Sequence, residues 1–214
     1  MEKKHLVLAS GSPRRKELLS QLGYEFSVLV TDVEECKRAQ ETAEEYVKRL
    51  SLDKALAALS LLTTNPSEKQ HVAPSSDSVV VSSDAISLDS EIVVLGSDTV
   101  VVSQGQVLEK PADFSDSKRM LTQLANGRHQ VMTAVSVVSK EKQKTEIVIT
   151  DVWFKPLSEK EIEQYWQTGE PCDKAGSYGI QGLGGRFVTR IEGSYYAVVG
   201  LPLFETDQLL QEFL

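Results

Sequence analysis

A short segment near the start of the chain has the composition of an anion-binding site. Residues 10–15 read Ser-Gly-Ser-Pro-Arg-Arg and lie between a short apolar run and a helix pattern. The start of a helix offers free backbone N–H groups and the positive end of the helix dipole, so it readily binds anions. Cations are disfavoured there on dipole grounds, and an anionic ligand would explain Arg14 and Arg15. An ordinary capped helix with two solvated arginines is the alternative, and position alone does not decide between them.

A carboxylate interrupts an apolar strand pattern in the middle of the chain. Asp98 stands in the segment Gly-Ser-Asp-Thr, residues 96–99, with apolar runs on both sides. A buried carboxylate costs free energy unless it is paired or holds a metal ion. We therefore interpret Asp98 as a functional residue, with an Asp that caps a turn as the alternative. Glu34 and Glu35 could join it as hard oxygen ligands for Mg²⁺ or Mn²⁺, although acidic loops are usually just solvated.

Two isolated lysines and a glycine-rich loop complete the candidates. Lys54 lies in a helix pattern, and Lys110 stands where a strand pattern ends. Residues 173–182 include the small side chains that let a backbone approach a ligand closely. Within them, Gln181 could read a nucleobase through its donor and acceptor. A lone lysine on a helix is almost always a surface residue, Lys110 is only slightly more suggestive, and a plain flexible loop is common.

The elements that must position these residues alternate between helix and strand patterns. Strands are predicted at residues 6–9, 26–30, 92–95, 100–102, 129–139, 146–154, 187–191 and 195–199, with a halt at 96–99. Helices are predicted from Pro13, Thr42, Ser115, Ser158 and Pro202. Ser12 before Pro13 is an N-cap signal, and Thr42/Glu45 and Ser158/Glu161 have capping-box spacing. This order predicts an α/β fold with a mixed sheet.

Composition excludes several classes of protein. The 214 residues are 41% hydrophobic and 25% charged, as in an ordinary soluble protein. A net charge of −8 argues against broad binding to nucleic acid, and no apolar run is long enough for a membrane helix. Cys36 and Cys172 lack metal-like or redox-like spacing, which favours reduced thiols and a cytoplasmic location. Residues 63–91 are rich in Ser, Asp, Thr and Pro, and we expect a surface insertion there in a single domain spanning residues 1–214.

Taken in order, these segments resemble the Maf family of nucleoside triphosphate pyrophosphatases. The matching blocks are residues 8–15 with 17–19, 33–35, 54–55, 96–100, 109–111, 174–182 and 199–202. Each block is weak alone, but the ordered set spans nearly the whole chain and is specific. Arg14, Thr99 and Gln181 resemble the dTTP/UTP-type branch rather than the branch that prefers 7-methyl-GTP. This chain departs from the family pattern at two places. Residues 63–91 stand where the family has a short link, and Ser97 stands before Asp98 where the family more often has Ala.

The resemblance implies a two-lobed fold, related to that of inosine-triphosphate pyrophosphatases, with a long twisted mixed sheet and a central cleft. It implies hydrolysis of dTTP and UTP to the monophosphate and pyrophosphate, with a divalent metal cation such as Mg²⁺ or Mn²⁺ as cofactor. A homodimer is a further expectation from the family. The alternatives are a catalytically weak nucleotide-binding regulator of cell division and a purine-type pyrophosphatase that acts on ITP.

The resemblance also assigns roles to residues. Asp98 would be the base that activates water, and Glu34 or Glu35 would help to bind the metal or to orient that water. Glu34 and Asp98 are the expected metal ligands. The triphosphate would be held by Ser10, Ser12, Arg14, Arg15, Lys54, Lys110 and Lys174. Thr99 and Gln181, with Arg14, would select the pyrimidine.

Overall fold

Seven strands and six α-helices alternate along residues 4–63 and 91–214, which are the part of the chain that the computed structural model describes. The strands are β1 (Lys4–Ala9), β2 (Phe26–Val28), β3 (Glu91–Ser103), β4 (Gln106–Leu108), β5 (Arg128–Val138), β6 (Gln143–Phe154) and β7 (Val188–Glu192). The helices are α1 (Pro13–Gln21), α2 (Ala43–Thr63), α3 (Phe114–Leu124), α4 (Glu159–Gln167), α5 (Tyr195–Val199) and α6 (Leu203–Phe213). Residues 64–90, which make up nearly all of the predicted insertion, lie outside the described residues. Among the described helices, none has the length and apolarity needed to cross a bilayer.

The strands form one mixed sheet in the order β2-β1-β3-β5-β6-β7, with β4 paired to β3. β1 runs parallel to residues 91–96 of β3, and β4 pairs antiparallel with residues 101–103 on the same edge. Between them, residues 97–100 of β3 pair only with β5, within the described strands. We call residues 97–100 the edge gap. The segments that leave β1 and β4 both begin beside it.

Two hydrophobic clusters lie side by side on one face of this sheet and define two lobes. The first lobe packs α1 and α6 against β1 and the first half of β3, through residues that include Leu18, Leu19, Leu95, Leu209 and Phe213. The second lobe packs α3 and α4 against the far end of β3, through residues that include Val101, Leu121, Leu124, Ile162 and Tyr165. β3 therefore contributes side chains to both lobes, and the edge gap lies between them.

Helix α2 covers the opposite face of the sheet. The predicted capping box starts it: the Thr42 N–H donates to the Glu45 carboxylate at 2.8 Å, and the Glu45 N–H donates to Thr42 Oγ1 at 3.2 Å. Glycine at position 96 allows the helix to lie close to β3, because a Cβ there would fall 2.2 Å from the Ser51 carbonyl oxygen. Tyr46 and Lys54 share one side of the helix because they are eight residues apart.

Most of the predicted elements are confirmed to within a few residues, including the capping boxes of α2 and α4. The predicted halt at residues 96–99 is wrong, because β3 runs unbroken and pairs with β5 from Val94 to Val102. The strand predicted at residues 195–199 is also wrong. That segment is helix α5, which Ser194 caps by accepting the Ala197 N–H at 3.2 Å. Its aromatic and β-branched residues favour a strand locally, and tertiary packing overrides that preference.

Candidate active site

A cavity of about 830 Å³ opens at the edge gap between the two lobes. The segment after β1, the start of α1, the segment after β4 and residues 170–182 contribute to its lining. Every residue predicted for the site lines this cavity except Glu34. A volume of this size is typical of a site for a small organic ligand.

Lys54 lies between two carboxylates in this cavity. Its Nζ is 2.7 Å from Oδ1 of Asp98 and 2.6 Å from Oε1 of Glu35. Asp98 is 6% exposed and comes from the edge gap of β3, whereas Glu35 belongs to the loop before α2. One cation thus joins the sheet, a helix and a loop.

The environment shifts the pKa values of the two carboxyl groups in opposite directions. Burial raises the pKa of Asp98, and the positive charges of Lys54 and Arg15 only partly oppose that rise. Burial would also raise the pKa of Glu35, but the hydrogen bond and charge of Lys54, with the charge of Lys110, lower it overall. Two neighbouring carboxyl groups with separated pKa values can serve as a proton acceptor and a permanent negative charge. Asp98 has the environment of the acceptor.

The acidic loop presents Glu35 to the cavity and leaves Glu34 outside. Thr31 and Glu35 line the cavity, and Val33 packs against a hydrophobic cluster below α2. The intervening Asp32 and Glu34 are exposed and are not among the residues that line the cavity. The structure therefore brings Glu35 to Asp98 and does not bring Glu34 there.

The donor set in the cavity fits a divalent cation that arrives with phosphate ligands. Within the described residues, no group of three or more His, Cys, Asp or Glu side chains could hold a metal ion without further ligands. Asp98 and Glu35 lie close enough together to contact one ammonium group, that of Lys54, and a cation bound by both carboxylates would lie beside it or replace it. Mg²⁺ commonly takes one or two carboxylates and completes its shell with substrate phosphates and water. These two carboxylates meet that requirement.

Arg15 is fixed on the cavity floor by contacts to three segments. Its Nε donates to the Gly200 carbonyl at 2.9 Å, and its two terminal nitrogens donate to Thr99 Oγ1 at 3.2 Å and Ser10 Oγ at 3.3 Å. Burial lowers the pKa of Arg15, while the charge of Asp98 opposes this lowering. Thr99 Oγ1 is also 3.0 Å from Thr133 Oγ1. The structure thus places Thr99 and Arg15 in one hydrogen-bond network.

The other predicted cations surround the cavity from different segments. Arg14 follows the Ser12 N-cap of α1, Lys110 follows β4, and Lys174 pairs with the neighbouring Asp173. All three line the cavity. Gln181 lies at its exposed rim, in the glycine-rich loop.

Glu170 organises that loop, and sequence reasoning missed it. Its carboxylate accepts the N–H groups of Leu183 at 2.8 Å and Gly184 at 2.9 Å, and the Tyr165 hydroxyl at 2.8 Å. Gly182 packs against the same carboxylate, because a Cβ there would lie 2.4 Å from it. The available signal was an acidic residue just before a glycine-rich stretch, whose backbone N–H groups need acceptors.

These features together can bind a polyanion and activate a water molecule. Cations surround a water-accessible cavity, and a buried carboxylate with a raised pKa lies among them. Such an arrangement suits hydrolysis of a charged phosphate compound, in which positioning and charge neutralisation supply most of the rate enhancement.

Comparison with known proteins agrees with this geometry. A family pattern described as "Maf-like protein" matches residues 5–213. The dTTP/UTP pyrophosphatase of Vibrio parahaemolyticus is 66% identical over 209 residues, which cover 98% of this chain and 97% of the relative. That of Vibrio cholerae is 59% identical over 97% of both chains. That of Pseudoalteromonas atlantica is 48% identical over 96% of this chain and 95% of the relative. Because the match runs through both lobes and the cavity between them, the chain belongs to the Maf family.

Proposed function

We propose that this protein is a nucleoside triphosphate pyrophosphatase that hydrolyses dTTP and UTP to the monophosphate and pyrophosphate. The carboxylate pair of Asp98 and Glu35 on Lys54, inside a cavity lined with cations, is the observation that carries the proposal. The relatives named dTTP/UTP pyrophosphatase support the choice of substrate, since they match nearly the whole chain.

In this proposal the triphosphate is bound by cations from both sides of the cavity. Arg14 and Arg15 at the start of α1 act with the free N–H groups of that helix. Lys110 and Lys174 approach from the second lobe and the glycine-rich loop. Neutralising the phosphate oxygens lowers their repulsion toward an incoming water oxygen.

Asp98 then acts as the general base. It takes a proton from a water molecule whose oxygen bonds to phosphorus at the α–β anhydride. The anhydride bond breaks, and pyrophosphate leaves with the bonding electron pair. The raised pKa of Asp98 makes it a better proton acceptor near neutral pH than an ordinary carboxylate. Lys54 keeps the neighbouring Glu35 ionised and holds both side chains in place.

The same two carboxylates would hold a divalent cation, either Mg²⁺ or Mn²⁺. When bound, that ion supplies additional neutralisation of the phosphates. Glu35 takes the place that the sequence suggested for Glu34, because only Glu35 lines the cavity. Gln181 at the rim, with Thr99 and Arg14, would select the pyrimidine.

A panel of dTTP, UTP, ITP and 7-methyl-GTP tests the proposal, with pyrophosphate release as the measurement. We expect dTTP and UTP to have the highest kcat/KM. If ITP instead had the highest kcat/KM, the chain would be a purine-type enzyme. Nucleotide binding without release from any of the four would indicate a regulator rather than an enzyme.

We also propose a single-domain, cytoplasmic enzyme that acts as a homodimer and does not bind nucleic acid. The absence of a spanning helix among the described helices and the net charge of −8 are consistent with that proposal. Light scattering on the purified chain measures its mass, and a monomeric mass would contradict the dimer.

A further inference from the structure

A buried tyrosine hydroxyl lies between two segments that border the active-site cavity. Tyr46 is 2% exposed, and its hydroxyl oxygen is 2.8 Å from the main-chain oxygen of Glu35 and 2.9 Å from Oε1 of Glu109. Glu35 belongs to the acidic loop before α2, and Glu109 belongs to the segment after β4. These two segments are otherwise separate along the chain, and Tyr46 contacts both.

Helix α2 holds Glu35 at two points. Tyr46 contacts its main-chain oxygen, and Lys54, two helical turns later, contacts its carboxylate at 2.6 Å. Helix α2 thus fixes both the main chain and the side chain of Glu35. Since α2 packs closely on β3, it also fixes Glu35 relative to Asp98.

The contact to Glu109 extends this support to a substrate-facing lysine. Lys110 is the next residue and lines the cavity, whereas Glu109 points toward Tyr46. The Glu109 carbonyl oxygen also accepts the Gly176 N–H at 3.1 Å, which joins this segment to the glycine-rich loop. A shift of Glu109 would therefore move Lys110 and disturb that loop.

A phenol carries one hydrogen, and both of its neighbours here are acceptors. The hydroxyl must therefore divide its hydrogen between the Glu35 carbonyl and the Glu109 carboxylate. Movement of either segment changes the hydrogen bond that the other receives, so the two are coupled through one atom. Burial, with the hydrogen bond to Glu109, raises the pKa of Tyr46, so the hydroxyl stays a donor at neutral pH.

We propose that Tyr46 is a positioning residue that couples Glu35 to Lys110 across the mouth of the site. It is not among the residues that line the cavity, and it acts by holding two segments that do contribute to the lining. The inference rests on the proposed function, because it takes Glu35 and Lys110 as residues that act on a bound triphosphate.

Substitution of Tyr46 by Phe tests this role, because it removes the hydroxyl and keeps the ring. We expect kcat/KM to fall about fivefold, the factor for one hydrogen bond of typical net strength. The fall should appear in kcat, through Glu35, and the Kd of a non-hydrolysable dTTP analogue should rise as well, through Lys110. Position 24 offers a matched control. The Tyr24 hydroxyl donates to Asp207 at 2.7 Å away from the cavity, so Tyr24→Phe should leave kcat unchanged. Equal kinetics in the two variants would overturn the proposal.

A double-mutant cycle with Glu109→Ala tests the coupling itself. If Tyr46 and Glu109 act together, the double variant should lose little more than the worse single variant. Fully additive losses would overturn the coupling. All rates should be measured with the nucleotide that the wild-type chain hydrolyses best. A wild type that prefers ITP then contradicts the proposed substrate and leaves the comparison of variants intact.

Discussion

At the scale of single residues, the site depends on one ammonium shared by two carboxylates. Lys54 stabilises the ionised forms of both Asp98 and Glu35, yet burial still raises the pKa of Asp98. A partly desolvated carboxylate beside a cation can accept a proton and remain correctly placed. This arrangement leads to two predictions, one for Asp98 and one for Lys54.

Asp98→Asn should nearly abolish turnover and leave nucleotide affinity largely intact. The amide keeps the size of the side chain and cannot take a proton from water. Loss of a positioned general base typically reduces kcat by about 10²–10⁴-fold. Steady-state kinetics with saturating Mg²⁺, and calorimetric titration with a non-hydrolysable analogue, measure the two effects. Retention of most of the kcat would shift the role of base to Glu35.

Lys54→Met should move the acid limb of the pH profile to higher pH. Removing the positive charge removes a cause that lowers the pKa of Asp98 and of Glu35, so both carboxyl groups protonate more readily. The dependence of kcat/KM on pH measures this shift separately from the loss of rate. Lys16→Met on the exposed side of α1 is the control and should keep the wild-type profile. An unmoved limb in Lys54→Met would mean that the limb reports another group.

At the scale of elements, the glycine-rich loop depends on a carboxylate from outside it. Glu170 accepts two backbone N–H groups and a tyrosine hydroxyl, and so gives residues 175–185 a fixed shape. Gln181 reaches the cavity from this stretch, and Lys174 reaches it from the position just before. The loop is therefore held by contacts to Glu170 and Tyr165 in addition to its own local turns.

Glu170→Gln should raise the KM for dTTP more than it lowers kcat. An amide has one acceptor oxygen and turns N–H donors toward the donors of the loop, which costs about 1–3 kcal/mol of stability. Urea unfolding and steady-state kinetics measure the two effects. Glu163→Gln on the exposed side of α4 makes the same change of charge and should alter neither quantity. A KM within error of wild type would separate Glu170 from substrate binding.

The sequence predicted best those helices whose first turn is stabilised by residues close by in the chain. Ser12 with Pro13 and the two capping boxes set the helix starts, and an isolated carboxylate in an apolar strand pointed to Asp98. The sequence could not distinguish Glu34 from Glu35, because two adjacent identical residues differ only in which one faces α2. For Glu170 it offered only a weak signal, an acidic residue before a glycine-rich stretch, since the partners of that carboxylate include main-chain groups. Helix α5 was missed because a short segment rich in Tyr and Val takes its conformation from its surroundings.

At the scale of the whole molecule, a buried histidine makes stability depend on pH. His129 is 2% exposed in the second lobe, where its Nε2 lies 2.9 Å from the Tyr178 hydroxyl. Burial lowers its pKa to about 4, and the charge of Asp151 only partly opposes this. The unfolded chain, with a histidine pKa of about 6.5, therefore binds the proton more readily than the folded chain.

The free energy of unfolding should fall as the pH drops from about 6.5 to about 4, by up to about 3 kcal/mol from this group. His129→Gln keeps a polar partner for Tyr178 and does not titrate, so its stability should depend less on pH. Urea unfolding at several pH values measures the slopes. His5→Gln, at a partly exposed site beside Ser27, should keep the wild-type slope. Equal slopes for His129→Gln and wild type would assign the acid sensitivity to other groups.

The course of β3 through both lobes also limits how this protein can be divided. The strand gives Val93 and Leu95 to one hydrophobic cluster and Val101 to the other, with Asp98 between them. A cut between Leu95 and Val101 would separate Val93 and Leu95 from Leu209 and Phe213 of the same cluster, whereas the buried residues of the second cluster, which run from Val101 to Phe187, would stay on one piece. The first lobe is thus not a portable module that could be excised, expressed alone or grafted onto another chain. Asp98, which we propose as the general base, lies on the stretch of backbone that such a cut would sever.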